Sequence, residues 1–376
     1  MKGMVNMESI SELKTQWAEV VKNFQQALEE SKKDENLRVE ARKWAQRGLG
    51  LAIRIRKIYQ DMDNVEPGKY EKEIKMFEGH EARWQTELEK LGSSMSGIPN
   101  TTFDDVAGLE DVKTAVRNYL FALKNPEIAK KYRIDTKIGL LLYGPPGTGK
   151  TLIAEAIAHE LGVRYFVITP SHIFGSYVGE SERNVREIFS ELRACEDGAV
   201  LLVDECESIF SKRTGDSNKA AIGVANQLLQ EMNGAKDSET ERRVILGATN
   251  RPQMIDEAYL RYKRFSLHFY IGMPNAEARE KVIRGKLGKL PHELIVIDEM
   301  LRVLDEHYTG ADISNIIEQC ANRAMQEHRE RVERGENITE VKINLTHFND
   351  VMRTFNPSVK KEDLVQYEEF RDRKPE

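Results

Sequence analysis

The sequence predicts an α/β protein in which a parallel sheet carries a phosphate-binding loop, with a three-helix bundle before it and a small helical domain after it. Three observations lead there. Gly144 to Thr151 reads GPPGTGKT, matching the pattern Gly, four variable residues, Gly, Lys, then Ser or Thr. From Thr102 to Asn275 short apolar runs alternate with amphipathic stretches, the texture of a parallel sheet covered on both faces. On either side of that region apolar residues recur only at the helical spacing of three and four, with no strand-like runs.

Length and composition set the bounds. A chain of 376 residues can hold two or three compact domains, each with its own core. With 31% charged and 40% apolar residues it reads as a soluble protein with much exposed helix. A net charge of −6 gives no polyanion-binding signature, so nucleic acid is not an expected partner. The three cysteines, Cys195, Cys206 and Cys320, are far apart and odd in number, which suits a reducing compartment. No basic start precedes an apolar core, and no stretch approaches the roughly 20 apolar residues that span a bilayer. The expected location is cytoplasmic.

Residues 1–91 are expected as the bundle. Met7 to Glu30 carries Ile10, Leu13, Trp17, Val20, Val21, Phe24 and Leu28 on one stripe. Asn36 to Met62 repeats the pattern until Asn64, Pro67 and Gly68 break it, and Lys69 to Leu91 forms a third, more charged helix. No residue set there resembles a catalytic site, so the bundle reads as a docking module. Its basic run Arg54, Arg56 and Lys57 is either a solvated face or a surface for acidic groups. Residues 92–100, within LGSSMSGIPN, form a Gly/Ser/Pro-rich flexible linker.

Residues 101–275 form the large α/β domain. Strands are expected at Ile138 to Tyr143, Arg164 to Thr169, Ala199 to Val203, Val244 to Ala248 and His268 to Ile271. Residues 276–376 then read as helices at Ala276 to Leu290, Asp298 to His307, Ala311 to Gly335, Leu345 to Phe355 and Ser358 to Phe370.

The chemistry begins at the glycine loop. Gly144, Gly147 and Gly149 let backbone N–H groups converge on an anion, and the helix that follows adds its positive end. Lys150 can reach the terminal phosphates, and the Thr151 hydroxyl can hold a magnesium ion. The nucleotide-contacting set is Pro145, Pro146, Gly147, Thr148, Gly149, Lys150, Thr151 and Leu152. Downstream, the apolar strand AVLLV ends in Asp204 and Glu205. Acids end many strands harmlessly, but beside a phosphate loop Asp204 can hold the metal and Glu205 can polarise water. VILGATNRP ends another strand in Asn250, a neutral group able to orient that water.

Taken together these motifs resemble the AAA ATPases, ring-forming remodelling machines driven by ATP and Mg2+, and the resemblance covers residues 101–372. FDDVAGLEDVK resembles the family segment near adenine, implying contacts from Asp105, Val106, Ala107 and Gly108. YTGAD resembles its helical-domain counterpart, implying Gly310 and Ala311. LRYKRF matches the segment whose two arginines enter the neighbouring subunit's site, here Arg261 and Arg264. Without the resemblance they read as surface arginines; with it, hydrolysis depends on assembly. SYVGESE resembles the first pore loop, with Tyr177 and Val178 as the pair that grips an extended chain.

Similarity is greatest to the branch containing Vps4, katanin and spastin. NPSVKKEDLVQYEEF resembles that branch's C-terminal helix, and the bundle resembles a microtubule-interacting-and-transport (MIT) domain, which binds tail peptides between its helices. Ile222 and Gly223 stand where the family has an arginine pair. Gln326 to Leu345 is too short for the extra strand domain with which Vps4 binds its activator, so no such cofactor is expected. The resemblance implies a hexamer that disassembles a recruited protein polymer, ESCRT-III-like filaments being favoured, with any membrane association made through that partner. Microtubule severing ranks second, because the linker has no Lys or Arg to meet acidic tails. An ATP-gated scaffold that does not translocate is the third reading.

Overall fold

The computed structural model describes residues 7–31, 38–64, 66–90, 95–136, 138–174, 179–193, 195, 198–212, 219–234, 243–261 and 264–372. In chain order these form α1 (Met7–Ser31), α2 (Arg38–Asp63), α3 (Glu71–Lys90), β1 (Met95–Ser96), α4 (Glu110–Lys124), α5 (Pro126–Lys131), β2 (Gly139–Tyr143), α6 (Lys150–Leu161), β3 (Arg164–Ile168) and α7 (Pro170–Ile173). They continue with α8 (Glu180–Arg193), β4 (Ala199–Val203), α9 (Lys219–Gly234), β5 (Arg243–Thr249), β6 (Phe265–Tyr270), α10 (Ala276–Leu287), α11 (Leu294–Val303), α12 (Gly310–Glu333), α13 (Leu345–Met352) and α14 (Lys361–Asp372). The fold class is the expected one, α/β with five strands in parallel pairings, a helical N-terminal region and a helical C-terminal region.

The chain divides into two compact units, one of Met1–Pro99, Leu161–Asp204 and Asp216–Ile245, the other of Asn100–Glu160, Glu205–Gly215 and Leu246–Glu376. In the first, α1 to α3 pack around the fully buried Ala41, Ala45, Leu49, Ala52 and Ile55 of α2. Small residues at i, i+4 spacing let the helices approach, and aromatic rings fill what remains. Phe24 meets Trp84 edge-on at 4.8 Å, and Trp17 meets Phe77 at 5.6 Å. Of the basic run, Arg56 is half-buried and ion-paired with Glu81, so part of that run holds the bundle together. The same unit contains β3 paired in parallel with β4, from Arg164↔Ala199 to Ile168↔Val203. Every residue of β4 is buried, as its unbroken apolar run requires.

One expectation is revised here. The linker carries a short strand, with Met95 opposite Phe166 and Ser96 opposite Tyr165, antiparallel to β3. Its glycines and serines hid this, since two residues have no periodicity to read. The pairing satisfies backbone groups that the outer side of β3 would otherwise present.

In the second unit β2 lies between β5 and β6, parallel to both. Leu140, Leu141 and Leu142 are completely buried, each stabilising the fold by about 1.5–3 kcal/mol. Strand β6 starts at Phe265 rather than His268 because Phe265 is itself a core residue, 5.2 Å from the Phe210 ring. Helices α10 to α13 enclose a core that includes Ile283, Met300, Ile316, Phe348 and Val351. Side-chain caps set the starts of α10, α12 and α13: Asn275 accepts from the Ala278 amide, Thr309 from Asp312 and Asn344 from His347. Helix α14 returns its two aromatics inward, Phe370 standing edge-on to Tyr143 at 4.8 Å.

Candidate active site

The loop between β2 and α6 is tied down on several sides. Gly144 N donates to Thr249 O at the end of β5 (3.3 Å). Thr148 Oγ1 donates to Pro145 O and to Ile271 O just beyond β6, both at 2.9 Å. Lys150 is buried, its Nζ donating to Gly144 O (3.0 Å) and Pro145 O (2.7 Å), so the ammonium is drawn into the loop it must serve. Thr151 and Leu152 are exposed at the helix start.

The helical region closes over this loop. Ala311 N donates to Gly147 O at 3.1 Å. Gly147 has φ +74°, and a Cβ there would lie 2.8 Å from both Ala311 Cβ and Thr309 Oγ1. Only glycine satisfies the backbone and the close approach together. Gly310 and Ala311, expected near the nucleotide from their motif, therefore reach the loop. The mutual cap of Thr309 and Asp312 holds them there, braced by Ser358 Oγ donating to Asp312 at 3.0 Å.

Asp204 extends the pairing of β4, its amide donating to Ile168 O (2.8 Å). The next residue, Glu205, is exposed and sits in the left-handed region at φ 49°, ψ 41°. A non-glycine residue there costs about 1–2 kcal/mol, and such strain concentrates where a side chain must be aimed. Asn250 follows β5. Its Oδ1 is buried and has no hydrogen-bond partner among the described residues, a costly state unless a bound group satisfies it. The positive-φ glycines and the buried Lys150 ammonium suit a loop that wraps an anion, and the orphaned Asn250 acceptor suits a water molecule that donates to it.

The remaining expected residues have the following surroundings. The Asp105 carboxylate accepts from Thr102 N and Oγ1 at 2.8 and 2.7 Å, bonds that hold its pKa below the usual carboxylate range. It closes its own turn. Val106 is buried, and Lys281 of α10 donates to Asp104 O, which attaches the segment to the helical region. Arg261 is exposed, whereas Arg264 is half-buried, donates to Ala258 O and lies over the Tyr259 ring at 5.9 Å. Tyr177 and Val178 lie outside the described residues. In α9, Gly223 lies beside the Glu182 carboxylate of α8, which would have to swing aside for a side chain there. Sequence reasoning missed Tyr367, whose hydroxyl donates to Asn250 O at 2.7 Å. Its spacing of three from Phe370, on an otherwise charged helix, was the available signal.

A glycine loop between strand and helix, followed by an acid pair and a polar residue at two further strand ends, defines a P-loop ATPase. Residues 140–273 match the model of the ATPase family associated with various cellular activities (AAA), and residues 320–373 match that of the Vps4 C terminal oligomerisation domain. The chain belongs to the AAA ATPase family. It is 33% identical to Fidgetin-like protein 1 of Drosophila melanogaster over 75% of this chain and 54% of that protein. It is 37% identical to ATPase family AAA domain-containing protein FIGL1 of Arabidopsis thaliana over 73% of this chain and 41% of that protein. The chain thus spans about half the length of these relatives. A solved FIGL-1 AAA domain in complex with ADP superposes with a TM-score of 0.62 at 30% identity, covering 73% of this chain and 91% of that one.

Proposed function

We propose that this chain is a Mg-ATP-dependent protein-remodelling ATPase that acts as a homo-oligomeric ring, a hexamer, and draws subunits of a recruited protein polymer through its centre. The observation that carries the nucleotide chemistry is the closure of Gly310 and Ala311 onto Gly147, together with the orphaned Oδ1 of Asn250. Lys150 and the loop amides hold the phosphates. Thr151 and Asp204 would hold Mg2+, which neutralises charge on the phosphate oxygens. Glu205 accepts the proton of the attacking water and Asn250 orients it. Arg261 and Arg264 come from the neighbouring subunit, where their fixed charge meets the charge that develops on the phosphate.

Residues 1–91 serve as the MIT-like docking module, residues 92–100 as the connection, residues 101–275 as the motor and residues 276–376 as the lid with its C-terminal helix. Tyr177 and Val178 grip the substrate, for which ESCRT-III-like filaments are the favoured class. Trapping tests this directly. The Glu205→Gln chain, held in ATP, should capture a helical filament-forming protein; capture of tubulin instead would replace the filament reading with microtubule severing.

A further inference from the structure

Helix α14 reaches the nucleotide site through one hydroxyl. Tyr367 is 2% exposed and donates to the backbone carbonyl of Asn250 at 2.7 Å. Burial, with Tyr270 beside it, pushes the phenol up to about 12, so the hydroxyl keeps its proton and donates at any physiological pH. The helix is itself anchored: Gln253 Nε2 donates to Gln366 Oε1 at 2.6 Å, and Phe370 packs on Tyr143. The strand end before Asn250 is also held, because Thr249 O accepts from Gly144 N and Thr249 Oγ1 from Arg251 N (2.9 Å). Thr249 fixes one side of the Asn250 residue and Tyr367 the other. With the backbone of Asn250 held on both sides, the Asn250 side chain starts from a fixed Cα, which limits the positions the orphaned Oδ1 can reach.

We propose that Tyr367 is a positioning residue for ATP hydrolysis, its hydroxyl holding the Asn250 peptide so that the side-chain amide faces the attacking water. The proposal rests on the reading of Asn250 as the water-orienting residue. It differs from an assembly role for the same helix, which lies within the segment matching the oligomerisation model.

Tyr367→Phe in the full chain removes the hydroxyl and keeps the ring, which stands 6.2 Å from that of Tyr270. Loss of one buried hydrogen bond should lower kcat about fivefold to tenfold at saturating ATP. KM for ATP, affinity for ADP and the oligomeric state by sedimentation should stay at wild-type values. In an Asn250→Ala background the same change should do nothing further, because the two residues act through one group. Unchanged kcat in Tyr367→Phe, additive losses in the double variant, or a loss fully accounted for by dissociation of the oligomer would each overturn the proposal. Normal turnover by Asn250→Ala alone would instead overturn the reading of Asn250, so the two failures are distinguishable.

Discussion

Replacing Gly147 with Ala tests how the phosphate loop and the helical region fit together. At φ +74° an L side chain costs about 1–2 kcal/mol. The added methyl would also lie 2.8 Å from Ala311 Cβ and from Thr309 Oγ1, atoms that cannot swing aside because Thr309 is fully buried in its cap. Overfilling a packed contact costs a further 1–3 kcal/mol or so, for a sum of about 2–5 kcal/mol. Gly162→Ala is the control, since it shares a left-handed backbone, φ +66°, with nothing within 4 Å of the added carbon. It should cost only the first amount. Urea unfolding of both variants separates the two contributions, and titration with a fluorescent ADP analogue reads the site. If the chain relieves the clash by moving Ala311 off the loop, stability recovers but affinity falls, by about thirtyfold for 2 kcal/mol. A Gly147→Ala chain as stable as Gly162→Ala, with unchanged nucleotide affinity, would refute the contact as described.

Glu205→Gln should retain nucleotide affinity and abolish phosphate release, and retained hydrolysis would remove Glu205 from its role. Arg261→Ala should reduce turnover of the assembled protein without moving the unfolding midpoint, whereas Arg264→Ala should also lose about 1–2 kcal/mol of stability with its bond to Ala258 O and its place over Tyr259. Thr309→Ala removes the cap of α12 and should cost about 1 kcal/mol, read by thermal unfolding. Stability should fall as pH drops below about 6.5, because burial lowers the pKa of His268 and, in the bundle, of His80 from that value. The unfolded chain then binds more protons than the folded one, so stability is full above 6.5 and lost toward the folded pKa values. His268→Gln should flatten that dependence in denaturant titrations at pH 7.5 and 5.5.

The bundle helices, the five parallel strands and the loop GPPGTGKT were legible in the sequence because each is a local pattern. Helical spacing in α1 to α3, an unbroken apolar run in β4 and a glycine spacing in the loop all lie within one turn or one strand of chain. The start of β6 at Phe265 was not legible, since what buries Phe265 is the Phe210 ring, 55 positions away in the chain. The same holds for the site. Sequence alone determined which residue types stand at the strand ends: Asp204, Glu205 and Asn250. Only the tertiary structure decided that Ala311 closes on Gly147, that Asp105 is occupied by its own turn, that Arg264 is tethered while Arg261 is exposed, and that Tyr367 reaches Asn250. Contacts between residues far apart in the chain depend on how whole elements dock, and a single sequence carries no periodicity that encodes docking.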